Sequence, residues 1–570
     1  MSDSLVLVAD EVSADPAQDQ ILVATNDVLL VQRGTSKIGV TWRDWSTIVG
    51  FVEGPLAQSV TLEERVCDSA SGGLGSCEKP PFAIRAVNVS TSGGQSLAIA
   101  THRVATPVPR TIFAVCYAFD SQTASSCASE AAASVDVVAV MAERNKYILE
   151  TLPPLPDAAE DRFQRKLLSV MKVNSLAPEG SLPYSWSSAN RAADYNMYMW
   201  DGMMQTISMN TVDPTLSVDY ISAFLHYQNS TGQMCSIISP YEKDRRGCST
   251  DAMPPNIALT TWDNYLQQPN RTFLASAFPS LERYIDWDLN NRRGPVNGTA
   301  QFLLAWDNAG EAGMDHEQNF CPGDTYWRGE CGPHHHGSAY LHYGLDFANY
   351  IVYESQALAK MATELGLSDR AAHWTSLAAN VTAEMNTLLW DESTGFYYDR
   401  YFNGTLMPFK TIAGFYPLLI EGGLIPKDKI ARIVAMMKTP DFWTAVPLPT
   451  VAVSTPDFSS DLDRGPMWLQ QNFYVIRGLE LQGYHSEAAE LKAKSIGIVR
   501  EYYEKWGVVF EFYDATDVTD PTQTLRKPKK QDTGNCIAGV KGLAGHCGIG
   551  GLREYNFCAG LVLRWLRGGD

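Results

Sequence analysis

The sequence predicts a mainly α-helical protein, an (α/α)6 toroid preceded by a β-sandwich-like domain, and three observations carry that expectation. Residues 1 to about 145 consist of short β-rich runs cut by Gly, Ser, Pro and Asn. Beyond about residue 158, apolar residues recur at helical spacing in roughly twelve segments. Tight helix-stop, helix-start turns join those segments into hairpins, and no fixed repeat length marks the rival, a stacked solenoid.

In chain order, "QILVATNDVLLVQR", "KIGVTWRDW", "SLAIATHRV" and "TIFAVCYAF" read as strands separated by turns, most simply a β-sandwich over 1–145. The proline-marked stretch "LETLPPLPDAAEDR" reads as a linker, taken as 146–162, with the barrel over 163–570. Helical segments are expected to begin near 158, 199, 215, 255, 271, 338, 368, 408, 426, 466, 485 and 552. In the segment from 368, Trp374, Leu377, Val381, Met385 and Leu388 share one face. Gly366 should end one helix and Ser368 cap the next; Gly423 with Pro426, and Gly483 with Ser486, repeat the pattern. Insertions at 229–254, 307–337 and 514–550 carry cysteine pairs and should crowd one rim.

A formal charge of −19 argues against nucleic acid, whose phosphates demand a basic surface, and fits a neutral substrate. Fourteen tryptophans and twenty-five tyrosines suit sugar-stacking faces, although each one singly is more often core. No run of eighteen apolar residues exists, so no membrane span is expected. Ten of the eleven cysteines form neighbour pairs, 67/77, 116/127, 235/248, 321/331 and 536/547, which suggests five local disulfides and a free Cys558. Sequons begin at Asn88, Asn229, Asn270, Asn297, Asn380 and Asn403. Together these point to a secreted or secretory-lumen protein, although no signal peptide is visible at the N-terminus. The oligomeric state is not legible.

Chemistry concentrates in two acidic elements. "FLLAWDNAGEAGMDHEQNFC" spaces Asp307, Glu311 and Asp315 four apart, but Gly310 and Gly313 disfavour a helix. A loop holding carboxylates in a cleft is the better reading. In "WGVVFEFYDATD", Glu511 sits among apolar residues, where desolvation favours its protonated form and suits it to proton transfer; a strand edge with Glu511 facing water is the plainer alternative. His334, His335 and His336 cannot all face one metal, so they read as a rim loop, and no metal is expected. The basic run "RKPKKQD" from Arg526 reads as a solvated loop.

"NMYMWDGMMQ" (196–205), "GEAGMD" (310–315), "RGPMWLQQN" (464–472), "GLELQGY" (478–484) and "FEFYD" (510–514) together resemble glycoside hydrolase family 63, with kinship to the family 37 trehalases. The likeness covers roughly residues 140–570. It implies an (α/α)6 catalytic barrel and inverting hydrolysis of an α-glycosidic bond, with no cofactor. By that resemblance Asp315 is the general acid and Glu511 the general base. Trp200 and Asp201 line the sugar subsite, the indole packing on the ring and the carboxylate gripping hydroxyls. Arg464 and Trp468 form another wall, Gln228 and Gly232 a nearby loop, and Glu311 orients the acid. Two departures bear on substrate choice: Met253 stands where the family commonly has glutamine, and Asp463 where it has tryptophan.

The expected function is an exo-acting inverting α-glycosidase, α-glucosidase-like, on a small glycoside or oligosaccharide. A glycosylglycerate hydrolase or trehalase-like enzyme is the nearest alternative. Outside hydrolases, a sugar epimerase, a lyase or an inactive carbohydrate-binding protein could use the same toroid.

Overall fold

The computed structural model describes residues 2–569 apart from 10–18, 25–27, 45–46, 56–59, 68–86, 91–95, 106–109, 119, 191–195, 241–250, 295–299, 308, 315–341, 457 and 527–547. The chain divides into two units, Met1–Val170 and Met171–Asp570.

The first unit is built on strands β1 (Ser2–Ala9), β2 (Asp19–Ala24), β3 (Val28–Arg33), β4 (Ser36–Asp44), β5 (Thr47–Glu53), β6 (Val60–Cys67), β7 (Val87–Ser90), β8 (Ser96–Ala105) and β9 (Arg110–Ala118). Seven of them form one antiparallel sheet in the order β2-β3-β4-β5-β9-β8-β7, and β1 pairs separately with β6. Alternation sends Val28, Val49, Phe51 and Ala114 to one buried face. The expected sandwich would cover that face with a second sheet. Its cover is helical instead: Ala131 and Ala132 come from α1 (Ser121–Ser134), and Val137 and Met141 from α2 (Val137–Thr151). The reason is local. "SQTASSCASEAAAS" is rich in the best helix former, and Asp120 caps it by accepting from Thr123 N at 2.7 Å. A Cys116–Cys127 disulfide ties β9 to α1, as the spacing of those cysteines suggested. Cys235 is also disulfide-bonded, while each of the other expected pairs includes a residue outside the described ones.

The expected linker at 146–162 is mostly helix. α2 runs through Thr151 and α3 (Ala158–Val173) begins seven residues later, so only the residues around Pro153, Pro154 and Pro156 are irregular. Proline removes a donor and blocks the turn before it, but its effect does not spread into good helix formers on either side. The boundary between the two units falls inside α3, at Val170.

The second unit contains α4 (Met199–Met209), α5 (Pro214–His226), α6 (Ile257–Gln267), α7 (Arg271–Asn291), α8 (Leu345–Leu365), α9 (Ser368–Leu388), α10 (Lys427–Met437), α11 (Leu469–Leu481), α12 (His485–Trp506) and α13 (Asn556–Leu566). A 3-10 helix spans Ile412–Leu419. Six segments close a ring: α4 packs on α6, α6 on α8, α8 on the 3-10 helix, that helix on α11, α11 on α13, and α13 back on α4. Outside it, α5 lies against α4 and α6, α7 against α6 and α8, α9 against α8, α10 against the 3-10 helix, and α12 against α11 and α13. This is the (α/α)6 toroid. Sequence sorts the two rings: "MWDGMMQTISM" and "NFCAGLVLRWL" are mostly apolar, bury nearly every residue and go inside, whereas α12 buries one stripe from Ala488 to Tyr503. Close approach helps at one contact, where a Cβ on Gly560 of α13 would stand 2.5 Å from Ser208 Cβ of α4.

The hairpin turns follow expectation with one correction. Gly366 and Gly483 end their helices with φ of 78° and 83°, but Ser368 and Ser486 are not the caps. Leu367 N bonds back to Ala362 O at 2.8 Å while its own carbonyl accepts from Ala371 N at 2.9 Å. Tyr484 does the same between Leu479 and Ala488. One residue closes one helix and opens the next, which leaves no place for a separate capping serine.

Candidate active site

Parallel inner helices of a toroid begin on the same side, so the segments that lead into them share one face. Those segments build the site. Trp200 and Asp201 open α4, and Asp251 and Met253 precede α6. Gly310 and Gly313 belong to the acidic loop, Trp468 is the residue before α11, and Tyr555 the residue before α13. With Tyr198, Leu462, Asp463, Gln470, Glu511, Leu552 and Phe557, they line a cavity of about 330 Å³. Four of the lining residues are Asp or Glu, and Asp201 lies in a first helical turn, where the unsatisfied N–H groups favour negative charge.

Of the residues singled out from sequence, Trp200, Asp201, Trp468 and Glu511 meet in this cavity. Glu511 is 1% exposed. Its backbone N donates to Leu552 O at 2.9 Å, and Leu552 N donates to its Oε2 at 3.1 Å. The buried thiol of Cys558 donates to the Glu511 carbonyl at 3.2 Å. Burial first, then the nearby Glu511 and Asp201 charges, push that thiol well above its ordinary pKa, so it stays protonated. Trp468 donates from Nε1 to Leu462 O at 2.8 Å and stacks on Phe512 at a centroid distance of 5.2 Å. Leu462 holds φ at 30°, a strained conformation for leucine, of the kind that persists where surroundings over-determine it.

The acidic loop splits its three carboxylates. Asp315 lies outside the described residues, and Met314 precedes it directly. Asp307 is half exposed. Glu311 is fully buried and does not line the cavity; Arg292 donates to its Oε2 through Nε at 2.9 Å and to its Oε1 through Nη2 at 2.5 Å. Ala252 N and Asp307 N each add a bond of 2.8 Å. Burial still outweighs Arg292 and raises the Glu311 pKa. Glu311 thus fastens two cavity-lining segments together, 251–253 and 307–313. Gly313 lies hard against the indole of Trp200: with φ at 67°, a Cβ there would stand 2.2 Å from Cζ3 of Trp200.

Two residues expected at the subsite, Gln228 and Arg464, are not among those lining the cavity. Gln228 is a staple: its Nε2 donates to Gly232 O at 2.8 Å and Ser280 O at 2.7 Å, and its Oε1 accepts from Arg283 at 2.6 Å. Its amide is spent on closing a turn against α7. Arg464 is fully buried, within a tight turn in which its backbone N donates to Asp461 O at 2.7 Å. His334, His335, His336 and most of the basic run after Arg526 lie outside the described residues. Among the described residues, no group of three or more His, Cys, Asp or Glu is placed to hold a metal. Sequence reading missed Tyr555, whose OH donates to Asp201 Oδ1 at 3.0 Å. The one signal for it is the polar break "REYN" before the last apolar helix.

Similarity to known proteins agrees with this geometry. Residues 194–517, more than half of the chain, match the model of the mannosylglycerate hydrolase MGH1-like glycoside hydrolase domain. A mannosylglycerate hydrolase of Thermus thermophilus is 32% identical over 126 residues, covering 20% of this chain and 29% of that protein. A cytosolic neutral trehalase of Kluyveromyces lactis is 27% identical over 180 residues, 30% of this chain and 23% of that one. An uncharacterized protein of Borreliella burgdorferi is 34% identical over 159 residues, 27% of this chain and 33% of that protein. These alignments thus span a third or less of each curated relative. The crystal structure of the family 63 mannosylglycerate hydrolase of Thermus thermophilus, solved with glucose, superposes with a TM-score of 0.54 at 20% identity, covering 71% of this chain and 100% of that one. Because the family match runs unbroken from before the Trp-Asp motif to beyond "FEFYD", this chain belongs to the MGH1-like glycoside hydrolase family.

Proposed function

We propose that this protein hydrolyses the α-glycosidic bond of a small glycoside with inversion at the anomeric carbon. The observation that carries the reading is a buried glutamate, Glu511, in a cavity walled by two indoles, Trp200 and Trp468, with the loop leading to Asp315 pressed on one of them. In this reading Glu511 takes a proton from water as the water attacks the anomeric carbon. Asp315 gives its proton to the departing glycosidic oxygen on the other face. Indole faces pack on the apolar side of a pyranose ring, and Asp201 accepts from its hydroxyls. A volume of about 330 Å³ stands at the low end for small-molecule sites and favours exo action on a short substrate. The disulfides at Cys116 and Cys235 support a secretory-route location.

The test is a panel of α-glucosides and α-mannosides, including mannosylglycerate, glucosylglycerate and trehalose, with proton NMR in early turnover. The β-anomer should appear first. Glu511→Gln and Asp315→Asn should each lose about 10²–10⁴-fold in turnover while staying folded. An α-anomer appearing first would sink the inverting mechanism.

A further inference from the structure

Tyr555 was invisible as a functional residue in the sequence, yet it lines the cavity and joins two of its working parts. Its OH donates to Asp201 Oδ1 at 3.0 Å, across 354 residues of chain. Its ring stands edge-on to Phe557 at 4.9 Å, which limits where the hydroxyl can go. Its backbone N donates to Val509 O at 3.2 Å, two residues before Glu511. Phe510 bridges to Arg553, and Leu552 bonds both the main chain and the carboxylate of Glu511. A short antiparallel pairing of 509–511 with 552–555 therefore carries Glu511 at one end and the Tyr555–Asp201 pair at the other.

The chemistry of the pair is specific. Because the tyrosine proton goes to Oδ1, the phenolic oxygen keeps acceptor capacity, and Oδ2 of Asp201 is turned by the same bond. The phenolic oxygen and the Asp201 carboxylate are hydrogen-bonded at 3.0 Å, and both residues line the cavity. Adjacent hydroxyls on a pyranose ring present two donors at a similar spacing. We propose that Tyr555 is a specificity-determining residue: with Asp201 it grips two neighbouring sugar hydroxyls, and it sets the orientation of the Asp201 carboxylate that does so. This rests on the reading of the cavity as a sugar site, though not on the hydrolytic step.

The experiment separates the two. Binding of D-glucose, D-mannose and their 2-, 3-, 4- and 6-deoxy derivatives is followed by tryptophan fluorescence in the full chain and in Tyr555→Phe, alongside hydrolysis of the matching aryl α-glycosides. The wild type should bind the parent sugar about 10–100-fold better than the derivative lacking a gripped hydroxyl, the range for a lost hydrogen bond to a charged group. In Tyr555→Phe that preference should collapse for one or two derivatives and persist for the others. Asp201→Asn, which keeps an acceptor for the tyrosine, should lose discrimination at the same positions and serves if Tyr555→Phe fails to fold. A uniform loss on every sugar means a merely structural role and overturns the proposal, as does unchanged discrimination or no sugar binding by the wild type. A wild type that binds sugars with this selectivity but cleaves none upholds the assignment of Tyr555 and overturns the hydrolase reading alone.

Discussion

Asp346, in the first turn of α8, shows what burial does to a carboxyl that has no cation beside it in its hydrogen bonds. It accepts from Trp306 Nε1 at 3.0 Å and from Phe347 N at 2.6 Å. Burial, with the charge of nearby Asp399, still pushes its pKa up to about 8. The folded protein therefore keeps this proton up to about pH 8, while the unfolded chain loses it in the usual carboxylate range. The sign follows: the folded state binds more protons, so stability falls as pH rises from about 4 through about 8, by at most about 1.4 kcal/mol per pH unit. Urea midpoints measured at pH 5 and pH 8 should show the fall in the wild type and a flatter profile in Asp346→Asn. An equal slope in both would assign the pH dependence to other groups. The identity of Asp346 was plain in the sequence, but its environment was not, because the residues around it arrive from 306 and 399.

At the scale of elements, the acidic loop is tied down at Glu311 by hydrogen bonds and at Gly313 by the Trp200 indole. Glu311 accepts four hydrogen bonds from three residues, Arg292, Ala252 and Asp307, and breaking a buried pair by removing one charge typically costs about 3–5 kcal/mol. Glu311→Gln should therefore lower the thermal midpoint, and reduce turnover less than Asp315→Asn does. Equal losses of turnover in the two variants would mean that Glu311 takes part in the chemistry. Gly313→Ala tests the other side of the loop. An added methyl meets the Trp200 ring at 2.2 Å and the backbone must hold φ at 67°, so the indole or the loop has to shift. Sugar binding should weaken by about 10-fold or more for a disturbed aromatic platform worth over 1.4 kcal/mol. Titration of tryptophan fluorescence with sugar checks it, and unaltered affinity would show that Trp200 does not carry the ring.

For the whole molecule, every described residue that lines the cavity belongs to the second unit. The boundary falls inside α3, so a cut that keeps that helix whole begins at Asp157, whose carboxylate accepts from Ala159 N and Glu160 N and caps α3. A chain beginning at Asp157 should fold and retain most of its sugar binding. Circular dichroism and the same fluorescence titration decide this, and an insoluble or non-binding fragment would show that the first unit is needed. Peptide mapping without reduction should return the Cys116–Cys127 pair and a free thiol at Cys558, as in the structure. A bridge that includes Cys558 would contradict the buried position of that side chain.

The sequence by itself determined the local features. Helical spacing marked the toroid's helices, with the expected start near 338 observed at Leu345, and Gly366 and Gly483 ended helices where they should. The Trp-Asp motif and Glu511 were legible because each signal sits within a few residues. Spending Gln228 on a turn, keeping Arg464 out of the cavity lining and joining Tyr555 to Asp201 were decided only in three dimensions. Each depends on which distant segments arrive at the same place, and periodicity along one segment carries no information about its partner. The toroid supplies that information by closing its ring, which brings the start of α4 against the start of α13.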